Sequence, residues 1–477
     1  QLDLAQSAFL AILPKAPEEY SRAKYHDQAL ARRNWVLDEM VKNGHITRAQ
    51  AEEAKAEPLA LVTEHDDTKV ADAGYFLEEV RRELIAKYGE NADNGPNSVY
   101  SGGLWVRTSL DTEMQDAARE SLRTVLLGYA SGAPWHAVAR LDPSKGSLTG
   151  QLAASTLGIH YKDWRVGVVT DRSGPSATIS FVDGKQAPLT NLPDALQVGD
   201  VVAAAPSGDA WAVQKVPEVS GGFLAMDPHN GRIFAMQGGF DSQLSDFNRA
   251  TQAERQVGST IKPFVYAAAL DNGMTPATMV PDTPYCVYQG AALGNKCFRN
   301  FENEGGGGEH TMRWGLEQSR NLMTVHIAAD IGMENVTGTL SRFGIGNYQN
   351  YLSFALGAGD STVERMTNAY SALFDHGMQH PSTVIDYVQD RHGKVIWRAD
   401  QRECTGCNMP EWDGKPMPRL ADDGKQVIDP RTAYQVVHMM EGVVQRGTAV
   451  RVRALGLPLA GKTGTTSGPT NVWFIGG

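Results

Sequence analysis

Ser259 and Lys262 stand three apart in "RQVGSTIKPFVYAAAL" (255–270), at the mouth of an apolar run. On a helix that spacing puts a hydroxyl and an amine on one face, about 5–6 Å apart at Cβ. A hydroxyl becomes a strong nucleophile when a base removes its proton. An amine can be that base only if its pKa falls from about 10.4 toward neutrality. Alone the pair is weak, since about one or two Ser-x-x-Lys matches arise by chance in such a chain. Ser21 and Lys24 in "SRAK" are a second match. A helix cap beside a solvated lysine would account for either.

Two further motifs follow in order. "QSRNLMTVHIAADIG" carries Ser319 and Asn321, the one Ser-x-Asn of the chain, and "LAGKTGTTSG" carries Lys462, Thr463, Gly464 and Thr465, the one Lys-Thr-Gly. Lys462 near Lys262 would lower its pKa by like-charge repulsion, and the positive end of a helix dipole acts in the same sense. Ser319 can pass a proton to a leaving group, and Asn321 can hold a substrate amide. Gly464 would let a substrate backbone lie along the strand as an added strand. Thr463, Thr465 and Lys462 offer hydroxyls and charge to a carboxylate. Backbone N–H groups of Ser259 and Thr465 would form an oxyanion hole. The ordered set points to a serine acyltransferase rather than to a capped helix, a polar helix end and an edge strand.

The elements that must position these groups can be read from pattern. A chain of 477 residues exceeds one hydrophobic core and implies two or three domains. Hydrophobic residues at 42% and charged residues at 21% are ordinary for a globular protein. A net charge of −11 without a basic block argues against a nucleic-acid partner. No apolar run is long enough to span a membrane. Cys286 with Cys297, and Cys404 with Cys407, lie on two short loops. Two local disulfides in an oxidising compartment are favoured over a zinc site made of all four thiolates. The twelve histidines, including His136, His160, His229 and His326, form no ligand-spaced cluster, so no metal is expected.

Residues 1–60 show helical periodicity interrupted at Pro14, Pro17 and Gly44, and 73–89 form a further amphipathic helix. "GGLWVRTSLDTEMQDAARESL" predicts a strand leading into a helix, with Thr112 and Gln115 as a capping box. Over 130–218 short alternating runs predict a small β domain of barrel or OB type. "GGFLAMDPHNGRIFAMQGG" predicts a hairpin, and "GLPLAGKTG" and "NVWFIGG" two closing strands. Strands at both ends with helices between predict an α+β domain whose terminal strands meet in one antiparallel sheet. "EGGGGEH" predicts a flexible loop. Tyr266, Tyr370 and Trp314 suit core packing better than a cleft lining, Arg32 and Arg33 an exposed helix face, and Glu317 either an exposed charge or an orienting role at Ser319.

With these motifs in view, residues 219–477 resemble the transpeptidase domain of class A penicillin-binding proteins. The resemblance extends to "FNRATQAERQVGSTIKPFVYAAAL", "WGLEQSRNLMTVHIA", "FALGAGDSTVERMTNAYSALF", "GTAVRV" and "NVWFIGG". "VRTSLDTEMQDAA" is similar to the linker of that family, so 61–129 is assigned as a linker region and 130–218 as an OB-like insert. "LPKAP" and "RRNWVLDEM" make 1–60 similar to the end of its glycosyltransferase domain. The resemblance implies that a glycosyltransferase glutamate motif and a membrane anchor lie before Gln1. It also implies that a further strand and helix follow Gly477. This chain is then expected not to polymerise glycan, although its parent would.

The implied activity is D,D-transpeptidation of peptidoglycan stem peptides through an acyl-enzyme on Ser259. The resemblance implies acylation by β-lactams, no cofactor, and a place on the outer, periplasmic side of the cytoplasmic membrane. Accessory cell-wall proteins are expected partners of the 130–218 domain. A serine β-lactamase or a non-catalytic peptidoglycan-binding scaffold are the alternatives.

Overall fold

The computed structural model describes residues 2–16, 20, 25–58, 73–288, 294–301, 306–404, 407, 409–411, 413–416, 420, 423–466, 468 and 470–477. Ser21, Lys24, Pro17 and the start of the glycine run lie outside the described residues. The chain divides into two compact units, 1–71 and 72–477.

In the first unit, helices α1 (Leu4–Leu10), α2 (His26–Lys42) and α3 (Arg48–Ala56) bury Ala5, Ala8, Leu37, Ala51 and Ala54. Capping boxes at Asp3–Gln6 and Thr47–Gln50 satisfy the first N–H groups of α1 and α3. Arg33 departs from the expected exposed charge. It is buried, and its guanidinium donates to the Lys55 and Glu57 carbonyls at the end of α3 (3.1 and 2.9 Å). A helix C-terminus leaves such carbonyls unpaired, and a cation is the natural donor there. Arg32 lies over the Trp35 ring at 3.9 Å.

The second unit opens with α4 (Gly74–Tyr88), β1 (Trp105–Thr108) and α5 (Thr112–Ser131). The cap of α5 is Asp111, not Thr112: its side chain accepts from Met114 N–H. Gln115 is buried instead, exchanging hydrogen bonds with the Met236 backbone. Strands β2 (Arg165–Ser173), β3 (Ser176–Phe181), β4 (Gln186–Thr190), β5 (Asp200–Ser207) and β6 (Ala210–Val213) close into a barrel in the order β5-β2-β3-β4-β6-β5. The β4–β6 pairing is parallel and the others antiparallel. Alternation drives Val169, Ile179, Phe181, Val202 and Val213 into its interior.

Beyond the barrel, β7 (Phe223–Met226) and β8 (Ile233–Gln237) form the expected hairpin. A 3-10 turn, Gly258–Ile261, leads into α6 (Lys262–Asp271). The hairpin β9 (Tyr285–Tyr288) and β10 (Asn295–Phe298) precedes α7 (Met312–Glu317), α8 (Asn321–Ile331), α9 (Met333–Arg342) and α10 (Val363–Phe374). Then come β11 (Ile385–Gln389), β12 (Val395–Arg398), α11 (Pro430–Arg446), β13 (Gly461–Thr465) and β14 (Val472–Gly476).

Every residue of α6 from Lys262 to Leu270 is buried. A helix apolar all round must be a central one. Phe264 meets Phe343 and Tyr370 edge-on, with centroids 5.0 and 5.3 Å apart, and Tyr266 and Tyr370 are core residues as expected. Strand β1 pairs with β11, and α5 packs on β8, so the segment assigned as linker contributes to this unit's fold. The terminal strands do not meet in one sheet among the described residues. β7–β8 and β13–β14 are separate ladders, and α10 packs against both β7 and β14.

Candidate active site

Ser259 lies in the 3-10 turn, and the Lys262 N–H closes that turn onto the Ser259 carbonyl. The turn therefore continues as helix, and the two residues share a face, as their spacing requires. Its position is fixed from several elements. Tyr370 Oη donates to Thr260 O (2.7 Å), Thr260 Oγ1 to Val257 O (2.7 Å), and Trp473 Nε1 to Gln256 O (3.0 Å). Gly258 sits at φ +53° and donates to Gly357 O at 3.1 Å. A Cβ on Gly357 would collide with the Gly258 backbone, and one on Gly464 would press on Thr260 and Val257. The bare side of Gly464 thus faces the serine turn.

Ser319 joins α7 to α8 and holds φ +55°, a left-handed conformation that disfavours any side chain. Such strain persists where the surroundings over-determine it. Its Oγ accepts from Lys462 Nζ at 2.9 Å and lies 3.4 Å from Lys262 Nζ. Lys262 Nζ donates to Ser319 O (2.6 Å) and to Asn321 Oδ1 (2.7 Å). Lys462 Nζ also donates to Thr463 O at 2.9 Å. Asn321 Nδ2 donates to Arg299 O at 3.0 Å, which leaves one N–H and one lone pair of that amide for a ligand.

Both lysines are fully buried. Burial drives the Lys262 amine well below its ordinary range; Lys462 and Arg320 push it further down, and Asp282 opposes them. Burial brings Lys462 down to about 7. Above them opens a cavity of about 1190 Å³ lined by Ser259, Ser319, Asn321, Thr463, Gly464 and Thr465. The motif residues named from sequence are therefore brought together. Lys296, Arg299 and Arg320 also line it, and among the described residues no carboxylate does, although the chain as a whole is acidic.

Thr448 was not singled out. Its hydroxyl lies 2.6 Å from that of Thr463, on the cavity wall. Glu317 holds the segment that carries it: the buried carboxylate pairs with Arg446 (Nε–Oε2 2.9 Å), and Glu317 O accepts from Thr448 N–H at 3.3 Å. A Cβ on Gly447 would strike Glu317 O. The only trace of this in sequence is a Gly-Thr just after a helix end. Trp314 packs against the core as expected, and it also lines the cavity and stacks on His310 at 3.9 Å.

The cysteines pair as Cys286–Cys297 and Cys404–Cys407, so the four thiolates are not a zinc set. Among the described residues no group of His, Cys, Asp and Glu is arranged to hold a metal, and no helix is long and apolar enough to cross a membrane.

The model of the penicillin binding protein transpeptidase domain matches residues 221–476. Penicillin-binding protein 1A of Rickettsia prowazekii (strain Madrid E) is 36% identical over 494 residues, covering 100% of this chain and 61% of that protein. Its counterpart in Neisseria flavescens is 33% identical over 501 residues, covering 100% and 59%. The chain thus spans about three-fifths of the relatives it matches. The crystal structure of penicillin-binding protein 1A from Haemophilus influenzae superposes with TM-score 0.70 at 25% identity, over 100% of this chain and 74% of that one. Three motifs converging on one cavity, a matching domain model and similarity along the whole of this chain agree: the chain belongs to the class A penicillin-binding proteins, with its transpeptidase domain at 221–476.

Proposed function

We propose that this site performs D,D-transpeptidation of peptidoglycan stem peptides through an acyl-enzyme on Ser259. The observation that carries it is the double bridge at Ser319, whose hydroxyl lies within reach of both buried lysine amines beneath the cavity that Ser259 lines. A neutral amine has two N–H bonds. Those of Lys262 are both engaged, on Ser319 O and Asn321 Oδ1, so its lone pair is left to accept the Ser259 proton. The Ser259 alkoxide then attacks the penultimate D-Ala carbonyl, and the N–H groups of Ser259 and Thr465 hold the oxyanion. The proton passes from Lys262 by way of Ser319 to the departing D-Ala amine. An amine of a second stem peptide repeats the sequence in reverse and forms the cross-link.

Lys462, Thr463 and Thr465 would hold the terminal carboxylate, in keeping with a cavity lined by bases. A β-lactam would acylate Ser259 by the same route, its ring amide in place of the scissile bond. The disulfides suit the periplasmic side of the cytoplasmic membrane, where the longer parent would also polymerise glycan. The 130–218 barrel is the proposed contact for accessory proteins.

Intact mass after incubation with benzylpenicillin tests the reading. One added penicillin mass, mapped to the Ser259 peptide and absent in Ser259→Ala, is expected. Rapid turnover without a stable adduct would instead indicate a β-lactamase, and no uptake at all a scaffold.

A further inference from the structure

Asn321 holds Lys262, and what holds Asn321 lies outside all three motifs. Its amide must point one way: Oδ1 toward the Lys262 amine and Nδ2 toward Arg299 O. Reversed, it would set donor against donor and oxygen against carbonyl. The next residue, Asn300, is buried and makes three contacts. Its Oδ1 accepts from Asn321 N–H (2.9 Å) and Leu322 N–H (3.2 Å), and its Nδ2 donates to Asp282 Oδ1 (3.0 Å). The two N–H groups are the first of α8, which have no partner within the helix. Asn300 thus supplies the cap of α8 from a segment about twenty residues upstream, while the local N-cap, Arg320, makes no side-chain cap.

The support beneath Asn300 is built as firmly. Asp282 is buried and receives Arg320 Nε and Nη2 at 2.9 and 2.8 Å. Arg299 and Asn300 directly follow β10, which pairs with β9 so that Cys286 stands opposite Cys297, and the disulfide closes that pair. Phe298 of β10 buries its ring with Leu322 and Val325 of α8. The hairpin is therefore clamped to the same helix whose first turn it caps.

We propose that Asn300 is a positioning residue for acyl transfer: from the disulfide-closed hairpin β9–β10 it sets Asn321, and through Asn321 the Lys262 amine. This rests on the transpeptidase reading of the site. A misplacement of about 1 Å at such a remove lowers rates by on the order of a hundredfold.

The test compares wild type, Asn300→Ala and Asn300→Asp by the second-order rate of benzylpenicillin acylation, from about pH 6 to about pH 10. Amide hydrogen exchange at Asn321 and Leu322 is measured alongside. Asn300→Ala is expected to acylate tenfold to a hundredfold more slowly, with faster exchange at both amides. Asn300→Asp can still accept both N–H groups, and it keeps its contact with Asp282 Oδ1 while the two carboxyl groups share a proton. It should regain protection and most of the rate toward neutral pH, and lose both at the alkaline end, where that proton leaves. With the proton shared, the pair carries the one negative charge that Asp282 already presents to Lys262, so the acid limb should stay in place. Acylation by Asn300→Ala within twofold of wild type would overturn the inference. So would Asn300→Asp regaining protection but no rate at any pH, since Asn300 would then be a cap alone. Failure of the wild type to label Ser259 would refute the transpeptidase reading instead, and the exchange data remain readable in that case.

Discussion

Replacing Lys462 with Met removes a buried amine whose charging the fold opposes and leaves a side chain of similar length. In the unfolded chain Lys462 titrates near 10.4, and in the folded one at about 7. Between those values the unfolded state binds a proton that the folded state does not, so wild-type stability rises with pH across this window and levels off above it. At pH 7 the deficit is about 4 kcal/mol. Against it stand two hydrogen bonds, to Ser319 Oγ and Thr463 O, of about 1 kcal/mol each. Lys462→Met should therefore be about 2 kcal/mol more stable than wild type at pH 7, and about 2 kcal/mol less stable above about pH 10.4. Loss of repulsion on Lys262 adds to the gain at neutral pH, because it relieves the same strain on the other amine. Denaturant unfolding followed by tryptophan fluorescence across that range measures the crossover, and acylation by penicillin should be lost at every pH. A variant less stable than wild type at pH 7, or a stability difference that does not change with pH, would refute the reasoning.

Ser319→Gly and Ser319→Ala both remove the hydroxyl shared by the lysines, and each should slow acylation by at least a hundredfold or so. Glycine also relieves the left-handed backbone, so thermal unfolding should show it about 1 kcal/mol more stable than the alanine variant. Gly357→Ala sets a methyl into the Gly258 backbone at a residue of φ +80°, and should sharply lower both the unfolding midpoint and acylation; an unchanged midpoint would disprove the close approach. Glu317→Ala leaves Arg446 without its carboxylate. The arginine is half-exposed, so the loss should be about 2 kcal/mol rather than that of a fully buried pair. Steady-state kinetics should show a raised KM as Thr448 leaves Thr463.

The candidate site was legible because it is made of residue types at short spacings. Ser259–Lys262 must share a helical face once a helix forms. Lys462-Thr-Gly-Thr465 must alternate about a strand, and two cysteines on one short loop are near neighbours whatever the rest of the chain does. The barrel strands and the 223–237 hairpin were legible for the same local reason, since a period of two survives in any context.

Tertiary structure alone decided the rest, because it depends on which distant segments touch. No local rule says that α8 is capped from residue 300, that Glu317 reaches Arg446, or that Gly464 must be bare to admit Thr260. Arg33 was placed wrongly for that reason, and Trp314 both packs on the core and lines the cavity: a long cation and a large ring can face solvent, core or cavity, and only the neighbours choose. The depressed lysines belong to the same class. The sequence supplied two amines, but burial is the largest cause of both shifts, and burial is a property of the packed molecule.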